Sequence, residues 1–338
     1  MTSFMVDEMA DQPRVLADLV ARAGEIRDQV ASLAGGPFHG VTLVARGSSA
    51  CAALYGRYLL EAATGHPVSV AAPSLHTLYR VDADYSGQLV IALSQSGETR
   101  EIVEVTTRLA SCGAATFAVT NDHESALAGA ARQALALGAG AERAIPATKT
   151  VTAEVVALAL IAAALGPVPF DERDLRRLPL VASRVLADDS AAAALAGRLS
   201  GANELLVAAR GYLLPAALEL ALKVKETAQL FAVGYSAAEL RHGHIASIRP
   251  GTPAVLLACA GPAHSYVRSL ADELARRDVP VYLADEEPGS PLPLPSGLPE
   301  ALAPVPAILR AQQLAYHLAL ARGHDPDTPA GLEKITNI

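Results

Sequence analysis

The feature that most constrains the fold of this chain is an internal repeat. When the sequence is displaced by 164 residues, as from Val44 to Ala208, its two halves align without a gap over three apolar, strand-like segments. A helix-like segment follows each of them, and alternation of strand and helix favours right-handed crossovers and a parallel sheet. The repeat therefore predicts an α/β fold of two tandem doubly wound parallel-sheet domains, each flavodoxin-like with three α/β/α layers. Ligands of such sheets bind at the carboxyl ends of the strands.

Length and proline content suggest the domain limits, since 338 residues suffice for two domains of ordinary size. We place an N-terminal helical segment at 1–36, a first domain at 37–166, a Pro-containing linker at 167–182, a second domain at 183–322 and a C-terminal strap at 323–338. One helix, at about 12–33, is expected before the first strand. A Pro-rich loop at 288–299 is expected to lead into a final strand, and a helix at 307–322 to follow it.

Composition narrows the class of function. Hydrophobic residues make up 51% of the chain and charged residues 18%, so a large core is available. The net charge of −8 argues against nucleic-acid or membrane-surface partners, so local groups must hold an anionic substrate. Three widely spaced cysteines and an acidic N-terminus without a signal-peptide pattern favour a reduced, cytoplasmic protein. The longest apolar stretch, 155–165, is too short to span a bilayer.

The first half carries a candidate phosphate site. Leu89–Leu93 is typical of a buried strand, and a helical pattern begins at Thr99. Ser94, Gln95 and Ser96 lie in the turn between them, where the first N–H groups of a helix have no intrahelical partner and the helix dipole favours an anion. The alternative is a plain helix cap, but a cap needs one hydroxyl and this turn offers three. The second half has Ala258-Cys-Ala-Gly261 at the matching place and lacks the hydroxyls.

The second half carries a candidate acid–base site on the helix that follows its first strand. Glu219, Lys223 and Glu226 fall on one stripe of a mostly apolar segment, 215–230. A carboxylate beside a lysine on such a stripe can be tuned as a proton-transferring base. Glu219 and Lys223 fit an exposed i,i+4 ion pair equally well, so the pattern alone leaves both interpretations open.

A histidine near neutral pH can act as an acid or a base, and His242 precedes Gly243 in a predicted loop or helix end. His242 and His244 could together suggest a metal. No cysteine or carboxylate cluster completes such a site, so we predict no metal.

These pieces resemble the sugar isomerase (SIS) domain family, in its double-domain form. The likeness is greatest to the isomerase half of the glucosamine-6-phosphate synthases, and it covers nearly the whole chain. The matching motifs are Met5-x-x-Glu-Met-x-x-Gln-Pro13, Ser94-Gln-Ser-Gly-Glu-Thr99, Ala217-Leu-Glu-x-Ala-Leu-Lys-x-Lys-Glu226, Glu239-Leu-x-His-Gly243 and Asp327-x-Pro-x-x-Leu-x-Lys334. No glutaminase domain precedes residue 1, so we expect this chain by itself not to hydrolyse glutamine.

The resemblance implies a role for each matching residue. The phosphate and the sugar of the substrate would be bound by Gly47, Ser48, Ser49, Ser94, Gln95, Ser96, Thr99, Ile145 and Ala147. Glu226 would move a proton between C1 and C2 of the sugar, with Lys223 supporting the charge of the enediol. His242 would open the sugar ring, from the neighbouring subunit, and Lys334 would reach the open-chain carbonyl. Ala147 stands where the synthases have serine.

The function implied is that of a homodimeric aldose–ketose isomerase or deaminase with shared active sites and no cofactor. The leading reaction converts glucosamine 6-phosphate into fructose 6-phosphate and ammonia, or the reverse. One alternative is a deglycase that releases an amino acid from a fructosamine 6-phosphate. Another is a non-catalytic sugar-phosphate sensor, which would need the phosphate loop but not Glu226, His242 or Lys334.

Overall fold

The computed structural model describes residues 3–33 and 38–334 and contains two parallel sheets. The first has the order β2-β1-β3-β4-β5 and the second the order β7-β6-β8-β9. The strands are β1 (Gly40–Val44), β2 (Val68–Val70), β3 (Gln88–Ser94), β4 (Ala115–Thr120), β5 (Gln133–Ala136), β6 (Glu204–Ala209), β7 (Phe231–Ser236), β8 (Ala254–Leu257) and β9 (Val281–Ala284). Every paired neighbour runs parallel. The predicted fold class is therefore confirmed, and the second sheet repeats the order of the first four strands.

Helices connect the strands. They are α1 (Phe4–Ala21), α2 (Ala23–Leu33), α3 (Gly47–Thr64), α4 (Pro73–Thr77), α5 (Arg100–Ser111), α6 (Ala126–Ala130), α7 (Lys149–Leu165), α8 (Glu172–Leu186), α9 (Ser190–Leu199), α10 (Leu214–Ala228), α11 (Ala237–Arg241), α12 (His264–Ala275) and α13 (Pro304–Ala321). Within the described residues, none of these helices combines the length and apolar character needed to cross a membrane.

The chain forms two compact units. Of the described residues, the unit with the first sheet comprises 14–33, 38–142, 149–169 and 333–334. The unit with the second sheet comprises 3–13, 143–148 and 170–332. In the first, all five residues of β1 are buried, as expected for a strand covered on both faces. In the second, β6 is buried from its second residue onward. Parallel sheets with covered faces thus account for the long apolar runs in both halves.

Close helix packing supports the first sheet. Fourteen consecutive residues of α7, from Lys149 to Ala162, are buried, so this helix is surrounded on all sides. It packs on α3 at Gly56, where a Cβ atom would lie 3.0 Å from Leu158. The abundance of small residues in these helices is explained by that close approach.

Three local predictions were wrong. Before the first strand there are two helices, α1 and α2, rather than one. Most of the segment predicted as a linker is the helix α8, which begins at a capping box formed by Asp171 and Asp174 and buries one apolar face despite Pro179. No strand follows the Pro-rich loop; a single 3-10 turn at Glu300–Leu302 leads directly into α13, whose first residue is Pro304. Proline is favoured at the first helical position because its missing N–H has no partner there in any case.

Arg322, which follows α13, ties together the ends of two other helices. Its guanidinium donates hydrogen bonds of 2.9 Å to the carbonyls of Ala228, Ser200 and Ala202. Ala228 is the last residue of α10, so this side chain supplies a partner to an otherwise free helix-end carbonyl.

We expect Arg322→Ala to lower the free energy of unfolding by about 2–4 kcal/mol, because several charge-assisted hydrogen bonds are lost at once. Arg322→Lys should retain part of this stability, since an ammonium can replace only some of the bonds. Urea denaturation measures the effect. Arg276→Ala is the matched control, because Arg276 donates only to a carbonyl of its own helix; equal losses in both variants would contradict the role of Arg322.

Candidate active site

Two turns leave the first sheet from the same edge. β1 and β3 are neighbours in register, with Val44 opposite Ala92, so the chain segments that follow them begin side by side. In this strand order the switch point, where ligands bind, lies between those two strands. The first turn enters α3 at Gly47, whose φ is 57°, and the N–H groups of the first helical turn have no intrahelical acceptor.

The second turn is the predicted phosphate loop, 94–99. The amide of Gly97 donates to the Ser94 hydroxyl at 3.2 Å, and that of Glu98 donates to the Ser96 hydroxyl at 3.1 Å. The hydroxyls of Ser94 and Thr99 lie 3.3 Å apart. Ser94 is buried, whereas Gln95, Ser96 and Thr99 are partly exposed. The loop therefore gathers three hydroxyls at the end of β3, two of them within reach of solvent.

Gly97 is required in this loop for two reasons. Its φ of 68° lies in the left-handed region that favours glycine. A Cβ atom at this position would lie 2.2 Å from Oγ of Ser125 and 2.7 Å from Oγ1 of Thr120. The backbone is thus held tightly against the neighbouring turn, which fixes the shape of the loop.

Thr99 tests the alternative of a plain helix cap. It is the N-cap residue of α5, but its side chain makes no capping hydrogen bond. Its hydroxyl is instead directed towards Ser94. This arrangement favours a loop that presents hydroxyls to a ligand over one that only terminates a helix.

Ser49 has a partner that the sequence did not reveal. Its hydroxyl donates to the buried carboxylate of Glu154 on α7 at 2.8 Å. In this structure the Ser49 side chain therefore connects α3 to α7. The groups at this turn that remain available to a ligand are the backbone of Gly47 and the partly exposed Ser48.

The unit with the second sheet holds the predicted stripe of charges on α10. The Lys223 ammonium lies 3.5 Å from Oε1 of Glu219 and forms a close ion pair with Glu226. The side chains of Lys223 and Glu219 are fully buried, whereas that of Glu226 is 22% exposed. The exposed-pair interpretation of Glu219 and Lys223 was therefore wrong. Glu226 is the member of this cluster that can meet a substrate.

A carboxylate held in this way suits proton transfer. The buried cation fixes the position of Glu226 and balances its charge, while its partly open face leaves room for a reacting carbon. Thr227, the next residue, donates to the carbonyls of Lys223 and Ala315, which anchors this turn of α10 to α13.

His242 lies at the end of α11 and is exposed. Within the described part of the chain, no hydrogen bond or ion pair joins it to Glu226. The ring of His244 stacks on Tyr235 with 4.4 Å between centroids. Among residues 3–33 and 38–334, no group of three or more His, Cys, Asp and Glu side chains is placed to hold a metal.

Lys334 is engaged by a carboxylate that sequence analysis missed. Its ammonium lies 3.0 Å from Oε2 of Glu142, which also accepts a hydrogen bond from the Thr150 hydroxyl at 2.7 Å. The side chain of Glu142 is fully buried and that of Lys334 is 25% exposed. The one available signal was an acidic residue in a Gly/Ala-rich segment just before α7.

The predicted sugar-loop residues, Ile145 and Ala147, belong to the unit with the second sheet and are partly exposed. The amide of Ile145 donates to the carbonyl of Asp327 at 2.9 Å. The carbonyl of Thr148 accepts from the Gln312 side chain at 3.0 Å. These bonds fix both ends of the loop.

Comparison with known proteins identifies the family. The family model described as SIS domain matches residues 39–164 and 198–303, one segment for each sheet. The chain belongs to the SIS domain family. The first segment contains the turns after β1 and β3 and the second contains α10, so the duplication seen in the sequence is a duplication of this domain.

Sequence similarity to curated relatives extends over almost the whole of this chain. Glutamine–fructose-6-phosphate aminotransferase [isomerizing] of Methanothermobacter thermautotrophicus is 32% identical over 343 residues, covering 99% of this chain and 57% of that protein. The enzyme of the same name from Aeropyrum pernix is 34% identical over 360 residues, again with 99% and 57% covered. This chain thus spans less than two thirds of the length of these relatives.

A solved structure supports the same fold. The C-terminal domain of glucosamine-fructose-6-phosphate aminotransferase from Francisella tularensis superposes with a TM-score of 0.85 at 22% identity, covering 97% of this chain and 99% of that one. At this identity the likeness establishes the architecture of two tandem SIS domains.

The buried cation of α10 gives a stability prediction for this SIS chain. Lys223→Met removes the cation nearest to the buried carboxylate of Glu219, so we expect the free energy of unfolding to fall by about 3–5 kcal/mol. Adding Glu219→Leu should recover much of the loss, because neither buried charge then remains. Lys225→Met, on the exposed side of the same helix, should change stability by less than about 0.5 kcal/mol. Denaturant unfolding that gave equal values for the two lysine variants would contradict the buried role of Lys223.

Proposed function

We propose that this chain is an aldose–ketose isomerase and deaminase of an amino-sugar phosphate. The leading reaction is glucosamine 6-phosphate plus water giving fructose 6-phosphate and ammonia, or its reverse. The observation that carries the proposal is the Glu226 carboxylate, fixed by a fully buried lysine and open on one face. A protein that only binds sugar phosphates has no need of that arrangement.

The phosphate is assigned to the turns after β1 and β3. Free N–H groups at the start of α3 and the hydroxyls of the 94–99 loop supply donors at the switch point of the sheet. Because the protein carries a net charge of −8, these local donors rather than a basic surface account for anion binding.

Proton transfer is assigned to Glu226. In the open-chain aldose form, the carboxylate takes the proton from C2, and the electrons of that bond form the C1–C2 double bond of an enolamine. The π electrons of the C1 carbonyl move to its oxygen, which takes up a proton from the medium and becomes a hydroxyl. The same carboxylate returns the proton to C1, which leaves a ketimine at C2. Water then adds to this carbon, and ammonia departs as the carbonyl of fructose 6-phosphate forms.

Two further residues complete the proposal. His242, exposed at the end of α11, would open the sugar ring in the neighbouring subunit by protonating the ring oxygen as its bond to C1 breaks. The anomeric hydroxyl loses its proton in the same step and becomes the C1 carbonyl. Lys334 would reach the open-chain carbonyl after release from Glu142, with which it is paired in this structure.

The comparisons support the substrate class. Relatives that match 99% of this chain carry the name glutamine–fructose-6-phosphate aminotransferase [isomerizing]. Glucosamine-6-phosphate deaminase from Thermotoga maritima shares the fold, with a TM-score of 0.81 and 22% identity over 99% of this chain and 100% of that one. These names favour an amino-sugar phosphate as the substrate.

Two substitutions separate binding from chemistry. We expect Glu226→Gln to keep sugar-phosphate affinity but to slow exchange of the C2 hydrogen with heavy water, followed by NMR, by roughly 10²–10⁴-fold. Ser96→Ala should weaken binding roughly ten- to a hundred-fold in calorimetry, because one charge-assisted hydrogen bond is lost. Ser111→Ala, at the opposite end of α5, is the matched control and should change neither quantity.

The same assays can also contradict the proposed function. C2 exchange by Glu226→Gln at the wild-type rate would remove Glu226 from the chemistry. If the wild-type protein binds sugar phosphates and exchanges none of them, it is a sensor. If it releases an amino acid from fructosamine 6-phosphates but no ammonia from glucosamine 6-phosphate, it is a deglycase.

A shared active site predicts that two inactive variants can complement each other in a heterodimer. When inactive Glu226→Gln and His242→Ala proteins are mixed under conditions of subunit exchange, heterodimers should regain up to about a quarter to half of the wild-type activity, since an intact site can form from complementary subunits. Native mass spectrometry verifies that the heterodimers form. No recovery in verified heterodimers would place His242 in the site of its own subunit or outside catalysis. His244→Ala is the control and should remain active alone.

A further inference from the structure

The second sheet contains a counterpart of the phosphate site. β6 and β8 are its central neighbours, with Val207 opposite Val255, and the turns that follow them meet at its switch point. Gly211 and Gly261 occupy the places of Gly47 and Gly97 in the repeat, and all four have positive φ angles. Gly211, with φ of 65°, repeats the conformation of Gly47, whereas Gly261 has φ of 152° against 68° at Gly97. The second domain therefore keeps both glycines, and the backbone of its second turn differs.

All three hydroxyls of the 94–99 loop, and that of Ser49, are lost in this counterpart, whereas Tyr212 stands in the place of Ser48. The residues matching Ser49, Ser94, Ser96 and Thr99 are Leu213, Ala258, Ala260 and Ala263. Ala263 is the N-cap residue of α12, as Thr99 is of α5. The side chains that would hold a phosphate are thus replaced by apolar ones at equivalent places.

A carboxylate lies in the vacated place. Oε1 of Glu300 is 3.3 Å from where a Cβ atom of Gly211 would be, and Oε2 is 2.2 Å from the corresponding point at Gly261. One carboxylate oxygen therefore faces each glycine turn. Glu300 reaches this place from the 3-10 turn before α13, the segment where a strand was expected.

Glu300 is close enough to influence the titratable groups beside it, and burial raises the pKa of its own carboxyl. Burial, and then the charge of Glu300, raises the pKa of the Tyr212 hydroxyl beside Gly211. Burial raises the pKa of the Cys259 thiol to about 12, with further contributions from Glu300 and Glu286. Glu286 also accepts a hydrogen bond from the Ala260 amide at 3.2 Å. Two carboxylates of the chain itself thus face the second loop.

We propose that Glu300 is a built-in anion that occupies the second domain's copy of the phosphate cradle and excludes phosphate from it. The helix dipoles at the starts of α10 and α12 favour an anion at this point, and the carboxylate fills that place permanently. Each chain then binds phosphate at its first loop alone. This assignment rests on the proposed phosphate role of the first loop, which a separate arm of the experiment tests.

The test rebuilds the second site. Ala258→Ser, Ala260→Ser and Ala263→Thr together restore the hydroxyls of the first loop, and this triple variant is made with Glu300 and with Glu300→Ala. Equilibrium dialysis with radiolabelled inorganic phosphate counts the sites. We expect the triple variant to bind one phosphate per chain, as the wild type does, and the version with Glu300→Ala to bind two.

The same comparison in variants whose first phosphate loop is disabled measures binding at the second loop alone. With Ser94→Ala and Ser96→Ala added, the triple variant should bind phosphate at least about tenfold more weakly with Glu300 than with Glu300→Ala, which corresponds to about 1.4 kcal/mol. Glu287→Ala is the control, because it removes an equal charge from an exposed position. It should not strengthen phosphate binding at the rebuilt loop as Glu300→Ala does. If Glu300→Ala does not fold, as judged by circular dichroism, Glu300→Ser serves in the same comparison.

Two results would overturn the proposal. One is equal phosphate binding by the rebuilt loop with and without Glu300. The other is a folded variant with the hydroxyls restored and Glu300 removed that binds no phosphate at the second loop. Absence of phosphate binding in the wild type would instead remove the role proposed for the first loop, and the comparison in the rebuilt loop would still decide the role of Glu300.

Discussion

Parallel pairing of the two central strands in each sheet is the constraint on which the rest of the structure depends. Because β1 runs beside β3, and β6 beside β8, the helices after each pair begin at one edge of one sheet. Free amide groups and aligned helix dipoles gather there without any charged side chain. A protein with a net charge of −8 can in this way bind an anion, provided that short side chains leave room for it. The first sheet leaves that room, and the second fills it with Glu300.

Buried charges mark the places where this architecture departs from simple packing. Lys223 lies fully buried between two carboxylates of α10, and Glu142 is buried beside Lys334. Burying ions costs desolvation energy that a well-packed apolar side chain would avoid, so such clusters are poor choices for stability alone. Their value lies in fixing a reactive group. Lys223 fixes Glu226 at the one point of the cluster that solvent reaches, and Glu142 fixes the last described residue of the chain.

In the proposed reaction the two duplicated domains divide the work. Both keep the glycine turns: a side chain would collide with a neighbouring turn at Gly97 and with Glu300 at Gly261, and Gly47 and Gly211 have positive φ angles. Beyond those turns they differ: the first carries the hydroxyls of the 94–99 loop, and the second carries the buried charges of α10. The proposed role of Glu300 makes the division sharper, because a carboxylate beside the second loop would repel a phosphate in addition to the loss of the hydroxyls.

The sequence by itself determined the fold class, the duplication and the types of residue in the candidate site. Repeating apolar strands, glycines at matching places and a charged stripe on an apolar helix are periodic or local signals, and such signals can be read along a chain. Tertiary structure alone decided which charged side chains are buried and which groups they contact. Glu142 with Lys334, Ser49 with Glu154 and Glu300 beside two glycines are contacts between residues distant in sequence. No local pattern encodes them, because burial and charge pairing depend on which surfaces the completed fold brings together.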